Sequence, residues 1–291
     1  MNRMHLGIIG DPRKNVTAQV AKRLICWLGD RGVDVSVSSP LAETLGMTGR
    51  SVEDWCDDSM EFLIVLGGDG TLLRAARKTQ RLELPLLGVN LGRLGFLTEV
   101  EMDDMYEVLP EFLDGKCKFD RRHFMRASVY QAGAVTDEYL ALNDVVVGKG
   151  GFSRMVDLRL WVDGAFMGSY RADGVILSTA TGSTAYSLSA GGPIVHPELE
   201  VLVVTLICPH SFYARPVVLS PKQKLTVRVH NVGDVRARLT VDGHQGRELE
   251  PDEEVRTRLS ERTVTLLRRP DWNFYEVLRR KFSQVEGSVL W

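Results

Sequence analysis

Residues 62–66, Phe-Leu-Ile-Val-Leu, carry no polar side chain, and the run stops at Gly67-Gly68-Asp69-Gly70-Thr71 before a segment with helical spacing. A strand that is apolar on both faces must be covered on both faces, which is the situation of a parallel sheet between helix layers. The neighbouring residues repeat the pattern. "HLGIIG" (5–10), "VDVSV" (33–37) and "LPLLGVN" (84–90) read as strands, and a helix is predicted over about residues 17–29. The Gly-rich stretch leads into a helix through about Lys78. "MDDMYEVLPEFLDGK" (102–116) has helical apolar spacing with acids near its start. Strand and helix in turn predict an α/β domain with a parallel sheet.

From about Phe119 the pattern changes. "RASVY", "YLALNDVVVG", "VDLRLWVDGAFMGSYRADGVILST", "QKLTVRVHN", "ARLTVDG" and "RTVTLLRR" read as successive strands. Val162-Asp163-Gly164-Ala165 has the residues of a tight hairpin turn. The tail "DWNFYEVLRRKF" (271–282) reads as a helix, with Asp271 as cap candidate and Phe274, Val277, Leu278 and Phe282 on one stripe. The expected organisation is an α/β domain over residues 1–118, a β-rich domain over 119–269 and a closing helix over 270–291 that packs back on the first domain. A chain of 291 residues accommodates two such domains.

A formal net charge of −2 gives no bulk attraction to nucleic acid, and no nucleic-acid partner is expected. Cys26, Cys56, Cys117 and Cys208 are scattered without a C-x-x-C pair, which fits a reducing cytoplasm and neither a zinc knuckle nor a redox dithiol. No secretory h-region opens the chain. The longest apolar-leaning run, Val201 to Cys208, is too short to cross a bilayer, so no membrane association is expected. The six histidines show no i, i+4 pair, and no protein metal cage is expected. Residues 252–254 read as a solvated acidic turn.

Three constellations carry chemistry. Gly67, Gly68, Gly70 and Thr71 lie where a parallel strand ends, and glycines there let backbone N–H groups approach a phosphate at a helix N-terminus. The spacing is neither that of a Walker A loop nor that of the dinucleotide fingerprint. The bland alternative is a tight turn, with Asp69 or Thr71 capping the helix. The second constellation, Asn143-Asp144, stands inside an apolar strand. Adjacent strand residues face opposite sides, so the pair needs polar partners there, either a ligand or a strand-end turn. The third is the Thr- and Ser-rich run from Ser178 to Ser189, with Tyr186 as its one aromatic. Small hydroxyls, free amides and a ring suit a nucleotide better than a metal, although a polar connecting loop has the same composition.

These stretches resemble the bacterial NAD kinases, the ATP/polyphosphate-NAD kinase family. The matching segments are Gly67–Thr71, "GVNLGRLGFLTEV" (88–100), "LNDVVV" (142–147), "DGVILSTATGSTAYSLSAGGPIVHP" (173–197) and "ICPHSFYARPVVL" (207–219). They occur in the family's order over most of the chain. The first motif is shared with lipid kinases and phosphofructokinases, while the Thr/Ser block is far more specific. The resemblance implies an α/β plus β-rich fold and a homo-oligomer, tetramer or dimer. It also implies phosphorylation of NAD to NADP by ATP or polyphosphate with a divalent metal such as Mg2+.

The same resemblance assigns residues. It makes Asp69 catalytic, orienting or deprotonating the 2′-hydroxyl of the adenosine ribose. Gly70, Asn143, Asp144, Arg171, Asp173, Thr184, Ala185, Tyr186 and Ser189 join Asp69 at NAD, and Gly67, Gly68, Gly70 and Thr71 serve the phosphates. Two departures stand out. Asp144 replaces the commoner glutamate, which draws its carboxylate back by one methylene. Ala180 replaces the commoner proline, which is expected to loosen the loop. Two rivals are an NADP-holding sensor, which would want a cation near the 2′ position, and a lipid or sugar kinase sharing the glycine motif.

Overall fold

The computed structural model describes residues 3–47, 51–52, 60–80, 82, 84–92, 95–150, 155–230 and 237–285. Two compact units form, residues 1–121 with 264–291 and residues 122–263.

The first unit opens with β1 (His5–Gly10), α1 (Asn15–Gly29), β2 (Asp34–Ser38), α2 (Ser39–Leu45) and β3 (Ser51–Val52). It continues with β4 (Phe62–Leu66), α3 (Asp69–Thr79), β5 (Leu86–Asn90), β6 (Val100–Glu101) and α4 (Met105–Leu113). The strand order is β3-β2-β1-β4-β5, with β6 beside β5, and every pairing is parallel. All residues of β4 and β5 are buried, as an apolar run without alternation requires. Helix α1 turns Val20, Ala21, Leu24 and Leu28 inward at helical spacing. The sequence reading missed α2, although Pro40 in its first turn and Gly46 at φ 65° after its end are ordinary start and stop signals.

The second unit takes most of β7 (Lys118–Gln131), then β8 (Ala134–Ala141), β9 (Asp144–Lys149), β10 (Val156–Val162), β11 (Ala165–Ala172) and β12 (Gly174–Thr179). A 3-10 turn (Thr181–Thr184) and the short α5 (Tyr186–Ser189) follow. Next come β13 (Leu202–Ile207), β14 (Val217–Leu219), β15 (Leu225–His230), β16 (Ala237–Val241), β17 (Gln245–Leu249) and β18 (Glu254–Arg268). One sheet runs β14-β13-β12-β9-β16-β17. The other runs β11-β10-β15-β18, with β7 pairing β18 and β8 pairing β7. Their inner faces share one core, including Val129, Val145, Leu158, Leu177, Val227 and Leu239. Asp163 and Gly164 both have positive φ, as the predicted β10–β11 hairpin needs.

Three local expectations are corrected. "YLALNDVVVG" is not one strand: β8 stops at Ala141 and β9 starts at Asp144, so Asn143 sits in the break. Residues 252–254 are not a solvated turn, because Glu253 is 5% exposed. Both of its oxygens are held by the Arg247 guanidinium at 2.7 Å. Helix α6 (Phe274–Val285) is not capped by Asp271. Asn273 Oδ1 accepts from the Tyr275 N–H at 2.9 Å, while Asp271 lies 3.4 Å from Arg269. On the predicted apolar stripe of α6, Phe274 is buried and Phe282 is exposed.

Candidate functional site

Each unit carries one constellation. In the first unit, α3 begins at Asp69 with Gly68 before it. Gly67 has φ 152°, and a Cβ there would lie 2.4 Å from Thr71 Oγ1, so the turn requires glycine on both counts. Asp69 does not cap its own helix. Its carboxylate reaches residues 95–98: Oδ2 accepts from the Phe96 N–H at 2.8 Å, and Oδ1 from the Leu97 and Thr98 N–H groups at 3.1 and 3.3 Å. Gly95 makes this approach possible, since a Cβ there would lie 1.9 Å from Asp69 Oδ1. Thr71 is buried, while Gly68, Asp69 and Gly70 are half-buried at the helix N-terminus.

The other side of the same peptide strip is held by a cation. Arg268 donates to the carbonyls of Leu97 and Phe96 at 3.1 and 3.3 Å, and pairs with Glu99 at 3.1 Å and Asp120 at 2.9 Å. Arg268 is 1% exposed. Burial holds the Glu99 carboxyl above its ordinary range even with Arg268 beside it. Residues 96–98 are thus fixed between the Asp69 carboxylate and the Arg268 guanidinium. A further cation stands at the loop: Arg74 lies 3.4 Å from Thr71 Oγ1 and 3.5 Å from Asp11.

In the second unit the break at Leu142-Asn143 is held from two sides. Asp242, 6% exposed, accepts from the backbone N–H groups of Leu142, Asn143 and Asp144 at 3.1, 2.9 and 3.2 Å. From the other side, the Thr179 N–H donates to the Asn143 carbonyl at 2.9 Å and the Thr179 hydroxyl donates to the Leu142 carbonyl at 2.6 Å. The Gly182 N–H donates to Thr179 Oγ1 at 3.1 Å. A Cβ on Gly182 would lie 2.1 Å from the Asn143 carbonyl oxygen, so the Thr/Ser block can close on the break only through glycine. The Asn143 backbone is committed, while its amide takes part in none of these bonds.

The Thr/Ser block divides by exposure. Thr179, Ser183 and Ser187 spend their hydroxyls inside the protein, Ser183 on the Ala180 carbonyl at 2.7 Å and Ser187 on Thr205 at 3.0 Å. Thr184 and Ala185 are half-buried, and Tyr186 and Ser189 are exposed. Ala180 is buried against Val195 and Val203 with φ −56°, close to the value a proline ring sets. Asp173 forms an ion pair with Lys149 at 2.8 Å. Arg171, at the end of β11, is exposed, and its carbonyl accepts from the His210 N–H at 2.8 Å.

Asp242 and Arg268 were missed by the sequence reading. The signal for Asp242 was present, since Val-Asp-Gly occurs at 162–164 and again at 241–243 and both are hairpin turns with positive φ. Nothing in the sequence distinguishes the turn whose aspartate points outward from the one whose aspartate is buried.

Asp144 is 6% exposed, and its carboxyl is pushed up to about 7 by burial first and by the Asp242 charge second. An acid whose pKa is raised in the fold holds its proton more tightly folded than unfolded. Its contribution to stability therefore falls as pH rises from about 4 to about 7. Asp144→Asn is expected to raise Tm relative to the natural chain at pH 8, with the difference shrinking towards pH 4. Thermal unfolding of both chains across that range checks the sign. A constant difference would mean that Asp144 is not held protonated.

Family models for two domains match in chain order: the ATP-NAD kinase N-terminal domain over residues 6–117 and the ATP-NAD kinase C-terminal domain over residues 142–269. The chain belongs to the NAD kinase family. It is 41% identical to an NAD kinase of Moorella thermoacetica over 96% of this chain and 89% of that protein. It is 42% identical to an NAD kinase of Acidobacterium capsulatum over 95% and 97%. Among solved structures, an Archaeoglobus fulgidus NAD kinase in complex with ATP superposes with TM-score 0.72 at 27% identity, covering 98% of this chain and all of that one. Yeast NADH kinase complexed with NADH shares the fold with TM-score 0.86 at 24% identity, over 99% of this chain and 89% of that one. The fold expected for NAD kinases, a parallel α/β domain followed by a β-rich domain, is the fold observed.

Proposed function

We infer that the chain transfers the terminal phosphoryl group of ATP to the 2′-hydroxyl of the adenosine ribose of NAD. One observation carries this reading: in a chain that both NAD kinase domain models match, the carboxylate of Asp69 in the Gly67–Thr71 loop is held as an acceptor by three backbone donors. Asp69 Oδ2 accepts only one of those N–H groups and keeps a lone pair for a substrate hydroxyl. A carboxylate already supplied with donors orients that hydroxyl rather than simply removing its proton. Phosphoryl transfer through a loose transition state rewards such positioning. An acid at this point would also repel the finished 2′-phosphate, which favours a kinase over an NADP-holding sensor.

The remaining assignments follow the same reading. Gly67, Gly68, Gly70 and Thr71 supply the helix N-terminus to the phosphates, with Arg74 as an added cation. Asn143, Asp144, Arg171, Asp173, Thr184, Ala185, Tyr186 and Ser189 serve the dinucleotide. No group of three ligating side chains occurs among the described residues. A divalent ion such as Mg2+ is proposed to enter on the triphosphate, since such an ion keeps phosphate oxygens and water among its ligands. When bound, the ion neutralises charge on the transferred group. No helix among the described residues is long and apolar enough to cross a membrane, and the proposed location is the cytoplasm. The test is direct: NAD, ATP and magnesium with the purified chain should give NADP, read by an NADP-specific dehydrogenase. No NADP above the enzyme-free control would overturn the reading.

Tyr186 is 46% exposed and the only ring in the block. Tyr186→Ala is expected to raise KM for NAD about 5- to 150-fold, the equivalent of about 1–3 kcal/mol of stacking, with KM for ATP little changed. Equal effects on both substrates would remove the stacking role.

The chain is proposed to act as a homo-oligomer. Phe212 and Tyr213 are both 93% exposed, so they do not fill the core of their own subunit. The Arg215 guanidinium holds the turn by donating to the Phe212 and Ala214 carbonyls at 2.9 and 3.0 Å. Two adjacent bare aromatics beside an arginine have the composition of an interface core. Sedimentation at micromolar protein should show a dimer or tetramer, and Phe212→Ser with Tyr213→Ser should shift it towards monomer. A fully active natural-sequence monomer would remove the proposal.

A further inference from the structure

A cavity of about 860 Å³ opens on the outer face of the β10-β15-β18-β7 sheet of the second unit. None of the residues assigned above to NAD, ATP or the phosphates lines it. Among the described residues, five cationic and three acidic side chains line it, an excess of two positive charges in a chain whose formal net charge is −2.

The cations are arranged rather than scattered. Strand β15 and its lead-in place Lys224, Thr226 and Arg228 on this face at every second residue, and β18 places Glu254, Arg256 and Arg258 opposite. Arg228 pairs across the strands with Glu254, and Thr226 with Arg256. Glu254 bridges two guanidiniums, receiving Arg228 on one oxygen and Arg256 on the other, the latter at 3.0–3.1 Å. Each of those guanidiniums also lies on a ring, Arg228 over Trp161 at 5.2 Å and Arg256 over Tyr130 at 4.0 Å. Held by a carboxylate and a ring, two rigid forks lose little freedom when they bind an anion.

Three cations remain beyond that pair, Arg126 beside Glu138 and the two residues Lys224 and Arg258. The register Leu225 to Thr257, continued by one residue, sets Lys224 against Arg258. Like charges directly opposite on adjacent strands are destabilising. The other acids on this face are already engaged. Glu138 lies 3.5 Å from Arg126 and accepts from the Ser128 hydroxyl at 3.1 Å, and Asp163 Oδ1 accepts from the Lys224 N–H at 3.0 Å. A bound anion would relieve the Lys224–Arg258 repulsion and use the free N–H groups of Arg228 and Arg256. A cavity of this size takes a ligand of metabolite size.

We propose that this cavity is a binding site for a small organic or inorganic polyanion, a phosphate ester, polyphosphate or polycarboxylate, separate from the nucleotide constellations. The experiment is calorimetric titration of the full chain at low ionic strength with pyrophosphate and, separately, with citrate. At least one should bind, weakening as salt rises. Arg228→Gln with Arg256→Gln should weaken that binding at least about tenfold, the equivalent of about 1.4 kcal/mol, and leave KM for NAD and ATP unchanged without the polyanion. Lys224→Gln with Arg258→Gln leaves the Glu254 bridge intact and should act in the same direction, which keeps the test valid if the arginine pair proves necessary for folding. Preference for pyrophosphate or for citrate identifies the anion class. Absence of binding by both probes, or binding undiminished in a folded variant, would overturn the proposal.

Discussion

Asp69→Asn is expected to lower the turnover of NAD by about 10²–10⁴-fold, the range typical of a lost positioning or acid–base group. The structure adds a second consequence. The natural carboxylate accepts three N–H groups, from Phe96, Leu97 and Thr98. An asparagine presents one oxygen and one NH2, so part of that set faces a donor instead of an acceptor. Leaving a buried donor unmet costs about 1–3 kcal/mol, and the Asn variant should melt earlier as well as turn over more slowly. Gly95→Ala separates the two effects. It keeps the carboxylate but drives a methyl group into Asp69 Oδ1, so activity should fall because the acid is displaced. Steady-state kinetics with NAD and ATP, beside melting curves for both variants, is the measurement. If Asp69→Asn kept most of the natural turnover, the role given to Asp69 would fail.

The parts of the fold legible in the sequence are those that depend on local pattern. Phe62–Leu66 and Leu86–Val89 announce a doubly covered parallel sheet because no polar residue interrupts them. The Asp163-Gly164 hairpin follows from residues that tolerate positive φ. The illegible parts depend on partners distant in sequence. Glu253 belongs, by composition, to an acidic turn, yet Arg247 makes it a buried anchor. Asn143-Asp144 looked like a strand interior because Val145-Val146-Val147 follows. The break is set instead by Asp242, about a hundred residues away. Of the candidate site, the sequence supplied the groups that would face a ligand. The groups that hold them, Asp242 and Arg268, are ordinary charged residues until their burial is known. Tertiary burial is what converts a common residue type into a positioning device.

The largest stability effect is expected at Arg268. Arg268→Leu removes the guanidinium that lies 3.1 Å from Glu99 and 2.9 Å from Asp120, whose side chains are 5% and 8% exposed. Removing one partner from a buried ionic cluster typically costs about 3–5 kcal/mol. Glu99 would avoid ionising, so its proton would be held more tightly in the fold than in the unfolded chain. The loss should therefore be greater at pH 8 than at pH 5. Glu99 already carries a raised carboxyl with the arginine in place, and losing the cation moves it further in the same direction. Activity is expected to fall too, because the carbonyls of Phe96 and Leu97 lose their donor and the peptide strip that fixes Asp69 is held from one side only. Arg268→Lys restores the charge but not the fork that reaches two carboxylates and two carbonyls, so it should recover stability only in part. Melting temperature and turnover at both pH values, for both variants, give the comparison. A leucine variant as stable and active as the natural chain would show that the cluster is dispensable, and that Asp69 is positioned by its own three hydrogen bonds alone.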